Sequence, residues 1–176
     1  MTLKGSGSDV TSSFITAAAA DPDGISTAAS ISGAANLTIG GALASGGSVT
    51  MDSPRNVTIL SAGDDSGITF TVTGTDESSA AQTEVITGAD STTATGTKFF
   101  KTVTQIATSG SSAGNVSAGS GTSCCGVISA ARCRLRGIYV VNGSSAATIV
   151  FREGSGTGTV VMQFATVAGA STNSYP

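Results

Sequence analysis

The chain is 176 residues long, enough for one ordinary domain or two small ones. A net charge of −3 and a pI near 4.6 exclude the basic face that a nucleic-acid binder needs to neutralise phosphates. Histidine is absent, which removes Ser–His–Asp and Cys–His catalysis, His-ligated zinc and the usual general base near neutral pH.

Only 11% of the residues are charged, against roughly 25% in an ordinary soluble domain. The apolar share is 39%, with 24 glycines, 5% aromatic residues and no tryptophan, so the core is expected to consist of small aliphatic side chains. Either Ser, Thr and Gly cover the surface, or much of that surface is buried against partners. Both alternatives point to a β-rich protein prone to assembly. No run of about 18 apolar residues is present to cross a membrane as a helix. The start, "MTLKGSGSDV", lacks the apolar segment of a secretory signal, so the protein is expected to begin in the cytosol. The N-x-S/T strings at Asn36, Asn56, Asn115 and Asn142 then carry no glycosylation meaning.

Residues 1–47 are rich in Ala, Gly and Ser and read as a partly extended arm or edge subdomain. Within them "TAAAADPDG" joins an alanine run, too short for a lasting helix, to a turn built on Pro22 and Gly24. "ANLTIGGAL" reads as a short strand or arm segment with Leu37 and Ile39 on one face. From residue 48 the hydrophobic period is two. "NVTIL" puts Val57 and Ile59 on one face, and "ITFTVT" alternates Ile68, Phe70 and Val72 with Thr69, Thr71 and Thr73, the signature of a half-buried strand. "TEVIT", "KFFKTVTQI" and a short "NVS" follow, separated by Gly, Ser and Asp turns.

"SAGSGTS" (117–123) reads as a link, giving a β domain over 48–122 and a second β segment over 123–176. That segment holds "CGVISA", "RLRGIYVVNG", "ATIVFREG" and "TVVMQFATV". In it, Ile149 and Phe151 share a face, as do Val160, Met162 and Phe164. No segment has sustained helical periodicity. The expected fold is all-β, an antiparallel sandwich or barrel-like structure with an extended N-terminal arm.

Four constellations could carry chemistry. Asp64, Asp65 and Ser66 in "SAGDDSG" invite a metal or nucleophile reading. Calcium, however, needs six to eight oxygens, and a protease serine needs a histidine, so a hairpin turn is the expectation. Cys124, Cys125 and Cys133 fall short of a four-ligand zinc site and read as small buried hydrophobes. "DPDG" (21–24) could lend oxygens to a metal but reads as a turn. Arg132, Arg134 and Arg136 in "RCRLRG" are three of the eight basic residues and would share one face of a strand. They read either as a charged edge that resists aggregation or as a stripe that docks on an acidic partner.

The strings "AAADPDGIS", "NLTIGGALASGGSVTMDSPRNVTILSAGDDSGITFTVTGTD" and "TEVITG…TGTKFFKTVTQI" resemble a group of virion structural proteins of tailed bacteriophages. "RLRGIYVVNGSSAATIVFREGSGTGTVVMQF" is similar to the domain that often follows in them. The resemblance spans Ala17 to Phe164. It implies a non-catalytic capsid decoration or cement protein, or a small fibre or tail component, and brings no catalytic, cofactor or metal residues. The family pattern continues with another turn and strand where this chain has "STNSYP", which implies a final strand either missing or supplied by a neighbouring subunit.

The expected protein is therefore a non-enzymatic virion protein, made in the host cytoplasm and carried on the capsid exterior. Its expected partners are major capsid protein subunits and its own copies, with no cofactor, nucleic acid or membrane. The alternative is a tail or fibre component that binds a host surface or carbohydrate, although two Tyr, six Phe and no Trp leave few rings for stacking on sugars. A virion-borne hydrolase would need two facing acids, and Glu77, Glu84 and Glu153 are scattered along the sequence.

Overall fold

Alternating β-branched and small polar residues give strands throughout. The computed structural model describes residues 18–128, 138–141, 145–154, 156–168 and 172–175, and no helix occurs among them. The chain divides into two units, Met1–Ile128 and Ser129–Pro176.

The first unit contains β1 (Asp21–Ser30), β2 (Ala44–Ser45), β3 (Ser48–Ser61), β4 (Thr69–Thr75), β5 (Ala81–Thr87), β6 (Thr93–Thr108) and β7 (Asn115–Cys124). They hydrogen-bond in the order β1-β7-β3-β6-β4-β5, with β2 added to β3, and every pairing is antiparallel. The two long strands bend and serve two layers. The second half of β3 pairs with β7 and with the first half of β6, as in Thr58↔Gly119 and Thr58↔Thr95. The first half of β3 meets the second half of β6 at Val49↔Val103, and that half of β6 continues onto β4 at Val72↔Ile106. Strands that change layer through bulges are how a sandwich turns its corners.

The core lies between these layers. Val49, Val57 and Ile59 of β3, Phe70 and Val72 of β4, and Phe100, Val103 and Ile106 of β6 are fully buried, together with Ile25 of β1. The alternation of "NVTIL" and "ITFTVT" thus places its apolar members inward as expected. Leu37 is buried and Ile39 packs on the core, and the Leu37 amide donates to the Ile106 carbonyl at 2.9 Å.

Two expectations about the chain's joints are corrected. "DPDG" is not a free turn but part of β1. Between Asp21↔Ser120 and Ser26↔Ala118 the register shifts, so the strand bulges at Pro22, Asp23 and Gly24, where a proline is tolerated. "SAGSGTS" is not a link but most of β7, an interior strand flanked by β1 and β3. Its small residues let neighbours approach: a Cβ on Gly119 would collide with the Asp21 carbonyl and the Pro22 backbone. The expected boundary after Thr122 therefore falls inside β7, and residues 21–30 form an edge strand of the same sheet.

The second unit holds β8 (Ile138–Val141), β9 (Thr148–Arg152), β10 (Val160–Ala165) and β11 (Thr172–Tyr175). β9 and β10 form an antiparallel hairpin, and β8 pairs antiparallel with β11 from Thr172↔Val141 to Tyr175↔Ile138. Most of "STNSYP" is thus itself a strand, paired within this chain.

Candidate functional site

The corner where β3 changes layer brings together Asp52, Arg55 and Lys101, of which Arg55 is buried. Four residues of β3, Met51 to Pro54, lie between Thr50↔Thr102 and Arg55↔Phe100, opposite Lys101 alone. Such a bulge leaves carbonyls without ladder partners. The Lys101 ammonium takes two of them, donating to Met51 O at 2.6 Å and Asp52 O at 3.0 Å. Arg55 is 2% exposed and donates to Gly121 O through Nε (3.1 Å) and Nη2 (2.7 Å), and to Ala19 O through Nη1 (3.2 Å). The Asp52 carboxylate accepts the Ala18 amide at 3.1 Å. The Ser53 amide chiefly holds Asp52 below the usual carboxylate range; burial opposes it, and the Ala18 amide and the Arg55 charge add smaller lowering effects.

Both ends of the described part of the first unit meet this corner. Residues 18 and 19 are tied to Asp52 and Arg55, and the Cys125 amide donates to Pro54 O at 2.9 Å. Cys124 and Cys125 are half-buried free thiols. Burial pushes the Cys125 thiol up to about 12, with a further rise from the charge of Glu77. Burial likewise raises Cys124. Both are neutral thiols at physiological pH, in keeping with the packing role expected of them.

The "SAGDDSG" segment is a turn but not the expected hairpin, because β3 and β4, which it joins, are separated by β6 and share no ladder. Its two aspartates also differ in kind. Asp64 is exposed, and its Oδ1 accepts the Ser66 hydroxyl (2.6 Å) and amide (3.1 Å), which hold its carboxyl below the ordinary range. Asp65 is 2% exposed. Its Oδ1 accepts the Ala113 amide at 2.7 Å, its own amide donates to Ala89 O, and its carbonyl accepts from Ile68. It ties three loops together. Nothing in the sequence separated it from its neighbour.

Glu84 is similarly structural. Its Oε1 accepts the amides of Thr97 (2.6 Å) and Lys98 (3.2 Å) and the Thr97 hydroxyl (2.9 Å), so it faces backbone rather than another acid. Among the described residues no group of three or more acidic or thiol side chains is placed to hold a metal ion. A shallow groove of about 250 Å³ runs over β1, β7, β3 and β6, lined by Asn56, Thr58, Thr93, Thr95, Ser120 and Thr122 among others. Its lining holds no ionisable side chain and no aromatic ring.

Exposed apolar surface is the other prominent feature. In the second unit Val160, Val161 and Met162 of β10 are all exposed, Val161 by 70%, and Val167 beyond the strand by 71%. Phe151 and Phe164 stack at 6.1 Å between centroids on the face that also carries Ile149 and Met162. A two-stranded hairpin cannot cover two apolar faces by itself. The sequence carried a signal for this: "TVVMQF" breaks strict alternation, so its apolar residues cannot all turn to one side. In the first unit Val85 on β5 is 64% exposed, and Leu43 and Leu60 are exposed less strongly. Arg132, Arg134, Arg136 and Cys133 lie outside the described residues.

No protein-family model, no curated protein and no solved structure matches the chain.

Proposed function

We propose that this chain is a non-enzymatic virion structural protein, a decoration or cement protein that binds the assembled head of a tailed bacteriophage from outside. The observation that carries the reading is the apolar strand Val160–Met162 with Val167, exposed on a two-stranded hairpin. These exposed apolar side chains lie on both faces of a hairpin too thin to cover either by itself, and exposed apolar surface of this kind marks a contact surface. The resemblance of the sequence to phage virion proteins names the kind of contact. Binding only the assembled capsid stabilises it by mass action. Buried polar residues of the first unit support the reading: the hydrogen bonds of Arg55 and Asp65 go to backbone, and those of Glu84 to two backbone amides and the Thr97 hydroxyl.

The test is a phage carrying a deletion of this protein, with copy number measured on the intact wild-type particle. Hundreds of copies on the head, and a deleted particle that bursts at lower temperature and in low salt, are expected. A few dozen copies or fewer, mapped to the tail, with unchanged heat resistance, would replace this reading with the tail or fibre alternative.

A further inference from the structure

The two edges of the first unit's sheet are treated differently. Near the middle of β1 two carbonyls are already taken: Gly40 and Gly41 donate to Ile25 O at 3.1 and 3.0 Å, and Leu43 donates to Gly24 O at 2.8 Å. Pro22 and a bulge interrupt the rest. These are ordinary protections against edge-to-edge pairing.

β5 has few of them. Its seven residues pair with β4 without a register shift, from Thr69↔Thr87 to Thr75↔Ala81. Bonds from Gly88 N to Ile68 O and from Asp76 N to Ala80 O frame this ladder. The even-numbered residues therefore bond to β4, and the backbone groups of Ala81, Thr83, Val85 and Thr87 turn away from it. Among the described residues the Lys98 ammonium, 2.7 Å from Thr83 O, is the one hydrogen-bond partner along that row. A carbonyl has a second lone pair to offer. The side chains of the same four residues are exposed and uncharged, with no proline and no bulge among them.

We infer that β5 is a self-pairing edge, joined antiparallel to β5 of a second copy about a two-fold axis through Val85. That register sets Val85 opposite its own copy and Thr83 opposite Thr87, so β-branched residues meet across the seam, a favourable cross-strand arrangement. Glu84 falls opposite Ile86 rather than opposite another Glu84, so no like charges face each other. Head-to-tail pairing of β5 on β1 is disfavoured because Pro22, two register shifts and the capped Gly24 and Ile25 carbonyls interrupt the β1 edge, which favours the closed two-fold pair over a growing filament. This deepens the assembly reading above by naming a first contact between copies. It is measured on isolated protein, so it can fail while capsid binding stands, and the reverse.

The experiment is sedimentation velocity on the full chain over a dilution series, with Val85→Pro and Val85→Lys as variants. Val85 is exposed and its amide points away from β4, so proline removes no ladder bond within the chain, and lysine sets two like charges face to face. A wild-type monomer–dimer equilibrium is expected, weakened about tenfold or more in both variants, while circular dichroism shows an unchanged fold. If either variant fails to fold, the other carries the test. A wild-type chain that stays monomeric throughout, or a dimer indifferent to both substitutions, overturns the inference.

Discussion

Glu84 on β5 accepts the Thr97 amide of β6 at 2.6 Å, and this contact joins two strands that share no ladder. β5 is bonded to β4 alone, while the first half of β6 pairs with β3 in the other layer. A carboxylate takes the place of missing ladder partners, reinforced by Gln82, which donates to Phe99 O at 2.8 Å. The space is tight: a Cβ on Gly96 would come within 2.5 Å of the second Glu84 oxygen.

Glu84→Gln is expected to lower stability by about 1–2 kcal/mol, because charge-assisted acceptance from backbone amides is replaced by a weaker neutral one. The new amide hydrogens also enter a site where the second oxygen has no partner. Urea denaturation reads this directly. An unchanged midpoint would mean that the layers hold together without the carboxylate.

The two adjacent aspartates of the β3–β4 turn should respond differently. Asp64→Asn leaves an exposed turn and should not measurably change the thermal midpoint. Asp65→Ala strips the acceptor from the Ala113 amide in a part-buried bond and removes the buried carboxylate that ties three loops, and should cost about 1 kcal/mol or more. Equal effects from both would show that the buried position of Asp65 is irrelevant.

Gly119→Ala forces a methyl group into the backbone of Asp21 and Pro22. The edge strand β1 must move, at a cost of about 2 kcal/mol or more. Hydrogen exchange should accelerate in β1 and β7 before it changes in β4 and β5. Protection lost evenly across the sheet would contradict this.

Acid should release the anchor at Ala18. Because the folded-state pKa of Asp52 lies below its unfolded value, its contribution is present above the unfolded value. It fades as pH falls through the folded value. Limited proteolysis with an acid-active protease should therefore cut before Asp21 more readily below about pH 4, near the unperturbed carboxylate value. Asp52→Asn should make cleavage there nearly independent of pH. A wild-type chain equally resistant at all pH values would show that Arg55 alone holds the segment.

Much of the fold was legible in the residues because strand alternation is a local property. Val57, Ile59, Phe70 and Val72 point inward for the same reason that Thr69, Thr71 and Thr73 do not: successive side chains on a strand face opposite ways, and burial selects the apolar set. The all-β antiparallel class followed from that period, and "SAGDDSG" as a turn followed from its residues. Tertiary structure alone decided where Gly- and Ser-rich segments go. "SAGSGTS" has the composition of a linker, yet it forms an interior strand because only small residues fit between β1 and the side chain of Asn56. Asp64 and Asp65 are chemically identical, and only the packing of three distant loops buries one of them. Glu84 looked like any surface acid until the bend in β6 brought two amides to it. Composition and period are carried by neighbours in the chain, whereas burial and hydrogen-bond partners depend on residues many positions away, as with Asp65 and Ala113, which the fold alone brings together.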